Sequence, residues 1–300
     1  MENVRMYEYT SAANPRLPPV PIALWNASLY HEDVTEIKPF DNAKDLCTDY
    51  ACTSPSLLVS FVQIMENDKI QTPAVATSHF FYVISGEGYT LFDTKHIVEW
   101  KKGDIFVLPY QEQVLEHFAK TRTVLLWVTD EPLLKYLGVV PQIPKFEFTF
   151  FSHEILVKTL QAVRTKNEKL NLNRLGILLG NKDTENTTKT ITHTLWSLMN
   201  VLPAVTLQKP HRHNSVALDL CIFSSPEKKE VYTLIGEELD EHGNIKDPIK
   251  CYWQSGSLFV TPPGLWHSHH NDTDEDAYVL PIQDAGLYTY LRTLNIQFSK

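Results

Sequence analysis

Short runs of apolar and aromatic residues recur along most of the chain. From about Ser56 to Pro141 these runs include LLVSFVQI, HFFYVISG, GYTLF, GDIFVLP and TVLLWVTD. They are rich in β-branched and aromatic residues, and turns such as Gly86-Glu87-Gly88 separate them. This composition and spacing are typical of short strands joined by tight turns. The pattern therefore predicts an antiparallel β sandwich or barrel in the first half of the chain.

The period of the apolar positions changes in the segment FSHEILVKTLQAVRTKNEKL. Ile155, Leu156, Leu160 and Val163 recur with the spacing of one helix face, and Ser152 is a suitable N-cap. The polar segment NKDTENTTK that follows predicts a loop. We interpret the whole stretch as a helical connector that ends in a polar loop.

The β pattern resumes at Thr190 with HTLWSLMNVLP, VALDLCIF, EVYTLIG, GSLFVTPP and AYVLPIQD. Two β units with the same order of parts indicate an internal duplication. The chain is therefore predicted to be all-β, with few helices. The predicted organisation is an extended, proline-rich N-terminal arm at 1–22, an N-terminal β domain at 23–150, the helical connector and polar loop at 151–189, and a C-terminal β domain at 190–300.

Composition narrows the class of protein. The chain has 300 residues, a formal net charge of -9 and no run of Lys or Arg, so we expect neither nucleic acid nor an anionic membrane surface as a partner. No apolar run approaches the ~18 residues of a membrane span, and the first residues lack the apolar region of a signal peptide. The cysteines are few, and none has CxxC spacing, which predicts a reduced, cytoplasmic protein. The cysteines are Cys47, Cys52, Cys221 and Cys251.

Two histidine clusters are the strongest chemical signal. In KPHRHNSVALD, His211 and His213 are two residues apart, so they share a face if the segment is a strand. In PPGLWHSHHND, His267 and His269 share a face in the same way, while His270 alternates to the other face. One such pair is weak evidence, but two pairs together favour a metal site, because neutral imidazole is a common metal ligand. His269 could be a fourth ligand, or an acid or base beside the metal.

The segments around these histidines resemble the two signature motifs of the cupin superfamily. GSLFVTPPGLWHSHHND matches the second motif at Gly256, Pro262, Gly264 and His267. In the first half, HFFYVISGEGYTLFD and KKGDIFVLPYQEQ are similar to the same two motifs. The resemblance implies a bicupin, with two double-stranded β-helix (jelly-roll) domains joined by the helical connector.

Among bicupins, the chain most resembles the group of gentisate, salicylate and 1-hydroxy-2-naphthoate dioxygenases, through HRHNSVAL and PPGLWHSHHND. Many cupins have a glutamate ligand at the position of Leu218. The absence of that glutamate is a feature that this chain shares with the all-histidine iron sites of the group. The resemblance implies that His211, His213 and His267 hold Fe(2+), with Zn, Ni or Mn as alternatives.

The function implied by the resemblance is that of an Fe(II)-dependent dioxygenase. The expected partners are O2 and a small aromatic or enol-type substrate, and the chain is expected to form a homo-oligomer, a dimer or a tetramer. Two other functions remain open at this stage: a non-oxidative, metal-dependent cupin lyase or isomerase, and a non-catalytic cupin that binds a small molecule.

The chain departs from that group in the location of its site. Members of the group usually carry the metal in the N-terminal cupin. Here the first-motif histidine positions of the N-terminal half read Pro73 and Val75, and the second-motif position reads Val114. His79 and His117 are the histidines that remain nearby. We therefore expect the N-terminal cupin domain to be metal-free and the C-terminal one to bind the metal.

A second departure concerns the substrate. Asp219 stands where the group has an arginine that holds the substrate carboxylate. An aspartate there would repel a carboxylate, so Asp219 is expected to meet an amine or hydroxyl of the substrate, or an internal partner such as Arg212 or Lys209. We place Asp219 and His269 among the candidate catalytic residues.

Three further features carry weaker signals. Trp266 could stack on an aromatic substrate or be a core residue, and Gln283 is a candidate polar contact to the substrate. The insertion at residues 224–253 could cap the mouth of the barrel or form a surface hairpin.

Overall fold

The structure is a computed structural model, and it describes residues 3–92, 96–167, 174–226 and 230–299. Strands account for most of its regular structure. The strands up to the connector are β1 (Leu24–Trp25), β2 (Glu36–Pro39), β3 (Leu58–Ile64), β4 (Lys69–Thr72), β5 (Ser78–Ser85), β6 (Glu87–Leu91), β7 (Ile97–Lys101), β8 (Ile105–Pro109), β9 (Leu115–Ala119), β10 (Thr123–Thr129) and β11 (Thr149–Phe151).

The later strands repeat this succession. They are β12 (Leu175–Leu179), β13 (Trp196–Leu202), β14 (Thr206–His213), β15 (Ala217–Phe223), β16 (Val231–Gly236), β17 (Ile249–Tyr252), β18 (Leu258–Thr261), β19 (Trp266–Asn271), β20 (Ala277–Gln283) and β21 (Ile296–Phe298).

Helices are few and mostly short. None in the described part of the chain is long and apolar enough to cross a bilayer. The α-helices are α1 (Tyr9–Ala12), α2 (Ala43–Leu46), α3 (Glu131–Leu137), α4 (His153–Asn167) and α5 (Ala285–Leu291), and short 3-10 helices span Ala27–Tyr30 and Lys182–Thr184.

Each half of the molecule contains one large and one small antiparallel sheet. The N-terminal half has a six-stranded sheet in the order β11-β8-β5-β10-β3-β2 and a four-stranded sheet in the order β4-β9-β6-β7. The C-terminal half has a six-stranded sheet in the order β1-β18-β15-β20-β13-β12 and a five-stranded sheet in the order β17-β16-β19-β14-β21. The prediction of an all-β protein with two jelly-roll domains is confirmed.

The two six-stranded sheets are buried on both faces. In β5, Phe81 and Val83 pack inside the N-terminal barrel, whereas Phe80 and Tyr82 belong to a cluster shared with the C-terminal half. Leu220 of β15 contributes to that shared cluster from the other side. This double burial explains why these strands read as nearly continuous apolar runs. The halves therefore meet through the outer faces of their large sheets.

The elements differ from the sequence-based division in three places. Part of the predicted extended arm is helical in α1, and β1 pairs with β18 of the C-terminal half. The predicted connector contains α4, but it also contains β12, which pairs with β13 at the edge of the C-terminal large sheet. Residues 168–173 of the connector lie outside the described residues.

The insertion at 224–253 contributes two strands, β16 and β17, to the five-stranded sheet. β16 pairs with β17 in an antiparallel hairpin, and Leu239 bridges to Ile245 between them. Residues 227–229 of the insertion lie outside the described residues.

Candidate metal centre

Two neighbouring strands of the five-stranded sheet bring the histidine clusters together. β14 carries His211 and His213, β19 carries His267 and His269, and the two strands pair antiparallel. His211 stands directly opposite His267. The register shifts between Gln208 and His211, so a bulge in β14 changes the direction of its last side chains. Strand alternation and this bulge together place the four rings on one face.

Three of the four rings form a compact cluster. The ring centroids are 4.0 Å apart for His211 and His267, 4.9 Å for His213 and His267, and 5.9 Å for His211 and His213. One ring nitrogen from each lies within 4.8 Å of the other two. Among the described residues, this is the only group of three or more His, Cys, Asp or Glu side chains that could hold a metal ion.

Main-chain carbonyls set the tautomers of two of these three histidines. His213 Nδ1 donates to Ser215 O at 2.9 Å, and His267 Nδ1 donates to Leu265 O at 3.1 Å. A neutral imidazole that donates from Nδ1 keeps a free lone pair on Nε2. Burial lowers the pKa of both rings, which keeps them neutral at neutral pH. Both residues therefore fit a divalent metal ion bound through Nε2.

The third ring, His211, has a cationic neighbour. Burial, followed by the nearby His269, lowers the pKa of His211 to about 2, so this ring is also neutral. Arg174 donates to Lys209 O at 2.6 Å, and its terminal nitrogen also lies 3.2 Å from His211 Nδ1. If Nε2 of His211 binds a metal, Nδ1 must carry the proton and cannot accept from Arg174. The donor set fits a metal provided that this one contact is exchanged.

His269 lies beside the three-nitrogen cluster. Its ring centroid is 6.0 Å from that of His211 and 5.8 Å from that of His267. Its Nδ1 is hydrogen-bonded to Thr233 Oγ1 at 2.8 Å. Burial, followed by Arg174, lowers the pKa of His269 to about 3. The geometry favours the role of a neighbour of the metal over that of a fourth ligand.

The histidines line a cavity of about 340 Å³ in the C-terminal barrel. Its walls combine several polar groups with apolar side chains, as expected of a site for a small molecule. The polar side chains include Arg174, Gln208, Asp219 and Gln283, and the apolar ones include Leu178, Trp196, Leu198, Leu294, Ile296 and Phe298.

Asp219 is buried on the cavity wall. Thr261 Oγ1 donates to Asp219 Oδ2 at 2.7 Å. Burial raises the pKa of this carboxyl to about 7. The expected partner Arg212 lies elsewhere, because its Nε donates to Gln297 Oε1 at 2.8 Å. The internal partner of Asp219 is therefore a threonine, which corrects the expectation of Arg212 or Lys209.

Gln283 lies on the cavity wall, and Trp266 does not. Ser215 Oγ donates to Gln283 Oε1 at 2.8 Å and lies 3.1 Å from His213 Nδ1, so Ser215 connects Gln283 to one of the clustered histidines. Trp266 alternates with His267 along β19 and packs under the Arg212 guanidinium, 4.7 Å from the ring centroid. The suggestion that Trp266 stacks on a substrate is corrected, because this side chain lies outside the cavity lining.

The sequence-based search missed Arg174. It lies in the cavity lining, and its guanidinium packs 5.0 Å from the centre of the Phe298 ring. Burial lowers the pKa of Arg174. The sequence offered no signal for this residue, because it lies in the predicted connector, and only the pairing of β12 with β13 brings it to the site.

In the N-terminal barrel, other residues occupy the positions that correspond to His211 and His267. Thr72 lies opposite Leu115, just as His211 lies opposite His267 in the C-terminal barrel. Neither threonine nor leucine supplies an imidazole, so two of the three clustered histidines, His211 and His267, have no counterpart here.

The motif comparison gave Pro73 and Val114 for these two positions, one residue away in each case. A slip of one residue transfers a side chain to the opposite face of a strand. Val75 and Val114 are in fact exposed. The motif comparison was therefore wrong by one residue, although neither set of positions holds a histidine.

No protein-family model and no curated protein matches the sequence. Solved structures do match it. Salicylate 1,2-dioxygenase from Pseudaminobacter salicylatoxidans superposes with a TM-score of 0.78 at 13% identity, covering 100% of this chain and 96% of that chain. A gentisate adduct of salicylate 1,2-dioxygenase from Pseudoaminobacter salicylatoxidans gives a TM-score of 0.75 at 13% identity, covering 96% and 87% of the two chains.

A cupin 2 conserved barrel domain protein from Leptotrichia buccalis gives a TM-score of 0.54 at 13% identity, covering 89% of this chain and 99% of that chain. At these identities the likeness shows the fold, which is that of two cupin barrels in one chain.

Proposed function

We propose that this chain is an Fe(II)-dependent dioxygenase that acts on a small aromatic or enol-type substrate. The observation that carries the proposal is the cluster of His211, His213 and His267 on the wall of a cavity large enough for such a molecule. Three imidazoles leave coordination positions for other ligands. When bound, iron would supply the redox chemistry for the reaction between O2 and a substrate held in the cavity.

Arg174 and Asp219 define the polarity that we propose for the substrate. Arg174 has no carboxylate partner among the described residues, so its guanidinium is available to an anionic group such as a carboxylate. Asp219 uses Oδ2 to accept from Thr261, and its carboxyl can also accept from a hydroxyl or amine of the substrate. A hydroxylated aromatic acid has both kinds of group. The gentisate adduct of a similar structure is consistent with this class.

His269 and Asp219 are the groups that we propose to handle protons. Both line the cavity, and both are buried. In this proposal His269 donates a hydrogen bond to an oxygen of the bound molecules, and Asp219 accepts a proton from a substrate hydroxyl. Gln283 would orient the substrate from the end of β20.

The test begins with metal content. Wild-type protein purified without oxygen should hold about one iron per chain by this proposal, and His211→Ala should lose it. His270→Ala is the matched control, since His270 lies on the same strand as His267 but outside the cluster. This control should keep its metal.

Oxygen uptake decides the reaction class. The iron-loaded protein should consume O2 with at least one member of a panel of hydroxybenzoates, catechols and aminophenols. Bound metal without uptake on any member would contradict the dioxygenase and favour a lyase or isomerase. Absence of metal in the wild type would contradict both and leave a binding protein.

A further inference from the structure

A chain of three side chains holds His269 in place. Trp253 Nε1 donates to Thr233 Oγ1 at 2.8 Å, and Thr233 Oγ1 lies 2.8 Å from His269 Nδ1. An indole N–H can only donate, so it uses a lone pair of the threonine oxygen. Among the described residues, His269 Nδ1 is the acceptor within reach of the threonine hydrogen. The hydroxyl therefore donates to Nδ1.

The direction of this bond fixes the tautomer. A neutral imidazole has one N–H, so a ring that accepts at Nδ1 carries its proton on Nε2. The His269 ring lines the cavity, and no described residue bonds to its Nε2. The free N–H is then available to whatever molecule occupies the cavity.

The same series of three hydrogen-bonded side chains recurs in the N-terminal barrel. Trp100 Nε1 donates to Thr90 Oγ1 at 2.8 Å, and Thr90 Oγ1 lies 2.7 Å from His117 Nδ1. There the other nitrogen, His117 Nε2, is hydrogen-bonded to Thr72 Oγ1 at 2.9 Å. The series Trp–Thr–His is thus present in both barrels. In the N-terminal copy, Thr72 takes the hydrogen-bonding position that is open to a bound molecule at His269 Nε2.

The two copies occupy equivalent positions in the sheets. Thr90 lies opposite His117, as Thr233 lies opposite His269. The position of Thr72, which binds Nε2 in the first copy, is held by the metal-ligand candidate His211 in the second. Because the C-terminal barrel has a histidine of the cluster at this position, it has no threonine to bind Nε2 of His269.

We infer that Thr233, oriented by Trp253, is a positioning residue that keeps the proton of His269 on Nε2. The ring then presents a hydrogen-bond donor to an oxygen atom of the bound ligand and withholds its Nε2 lone pair from the metal. The consequence for activity rests on the proposed function, whereas the tautomer itself does not.

The first test is ¹⁵N NMR of the His269 ring in zinc-loaded protein, which is diamagnetic, with His269→Gln used for assignment. In the wild type, Nε2 should be protonated and Nδ1 should not. Trp253→Phe leaves Thr233 Oγ1 free to accept from Nδ1–H, and Thr233→Val removes the hydroxyl. Both variants should show the averaged shifts of two exchanging tautomers.

Two matched variants control for fold. Thr233→Ser keeps the hydroxyl and should restore the single tautomer. Thr90→Val breaks the equivalent bond in the other barrel and should leave the His269 resonances unchanged. A wild-type ring protonated on Nδ1 would overturn the inference, as would a single Nε2–H tautomer that persists in Trp253→Phe and Thr233→Val.

Activity gives a second, separable readout. We expect kcat of Thr233→Val to fall about tenfold, the loss that corresponds to one weakened hydrogen bond in the transition state, with metal content unchanged. Thr233→Ser and Thr90→Val should stay close to wild type. If the NMR result holds but the wild type consumes no oxygen, the proposed function fails and the tautomer assignment stands. If Thr233→Val loses the tautomer but keeps full kcat, the positioning role is wrong.

Discussion

Two glycines of the second cupin-like motif have the same backbone conformation and different surroundings. Gly256 has φ +83° and Gly264 has φ +82°, values that favour glycine. A Cβ at Gly256 would overlap the hydroxyl of Tyr30, whereas a Cβ at Gly264 would meet no atom within 4 Å. Tyr30 Oη also donates to Gly256 O at 3.1 Å. One glycine is therefore required by conformation alone, and the other by conformation and close contact.

We expect Gly264→Ala to cost about 1–2 kcal/mol of stability, the strain of a left-handed alanine. Gly256→Ala should cost roughly 1–3 kcal/mol more, because the core around Tyr30 must also shift. Thermal denaturation of the metal-free proteins measures both. Adding Tyr30→Phe to Gly256→Ala should recover part of the difference, since it removes the overlapping oxygen. Equal losses for the two alanine variants would show that contact at Gly256 is unimportant.

The buried carboxyl of Asp219 should make stability depend on pH. Burial raises its pKa to about 7, while the unfolded chain has an ordinary carboxyl. Between about pH 4 and pH 7 the folded protein keeps a proton that the unfolded chain has lost, so the contribution of Asp219 to the free energy of unfolding falls as pH rises. Thr261 and the thiol of Cys251, whose pKa is raised to about 11, do not ionise in this window.

Asp219→Asn removes this titration. Relative to wild type, the metal-free variant should gain stability from pH 4 to pH 7 and then level off, by up to roughly 4 kcal/mol. Asp284, whose pKa burial raises to about 6, is present in both proteins and cancels in the difference. Urea denaturation at several pH values gives the comparison. A stability difference that does not change with pH would mean that Asp219 ionises normally.

At the scale of elements, the segment that leads into β12 brings a positive charge to the site, which β14 and β19 do not provide. β14 and β19 supply neutral rings, and Arg174, immediately before β12, supplies a positive charge. Arg212 lies on β14 but faces away from the cavity, where it packs on Trp266. The two arginines thus form a matched pair, one inside the cavity and one outside it.

Arg174→Gln should weaken the binding of a substrate that carries a carboxylate. A hydrogen bond to a charged group contributes about 1.5–3 kcal/mol, so the Kd of gentisate should rise by roughly tenfold to a hundredfold. Hydroquinone lacks the carboxylate, and its Kd should hardly change. Calorimetric titration of the zinc-loaded protein tests this without turnover, with Arg212→Gln as the control. A similar loss for both compounds would argue against Arg174 as the carboxylate contact.

The elements also show which parts of the site could be predicted. The shared face of His211 and His213, and of His267 and His269, follows from strand alternation, which is a local rule. The contribution of Arg174 follows from the addition of β12 to a sheet edge, which is a long-range pairing. Its residues LGILL are too few to distinguish a strand from part of a helix.

At the scale of the whole molecule, the duplication and the barrel architecture could be predicted from the sequence, because strand period and turn residues recur in both halves. Two features could not be predicted. The large sheets are buried on both faces, which a single sequence shows only as apolar runs. The segment at Leu24 and Trp25 crosses from the N-terminal half to the sheet of the other half, and its short apolar sequence carries no sign of the partner.

This crossing strand ties the two halves together. Leu24 pairs with Phe259 and Trp25 with Leu258, and the amide of Val260 donates to Ala23 O at 2.9 Å. The Trp25 ring stacks on Phe40 of the N-terminal half, with centroids 4.6 Å apart. One residue therefore packs against one half while its backbone completes the sheet of the other.

Trp25→Ala should accordingly destabilise the protein by about 3 kcal/mol, since it removes a packed aromatic ring. Leu24→Ala is the control on the same strand: its side chain is 40% exposed, so the loss should stay under about 1 kcal/mol. Hydrogen exchange should locate the effect. In Trp25→Ala the amide of Val260 should exchange faster, because β1 no longer holds that edge, while amides in the N-terminal large sheet keep their protection. Uniform loss of protection across both halves would instead mean that β1 stabilises the molecule globally, with no local role at the edge of the C-terminal large sheet.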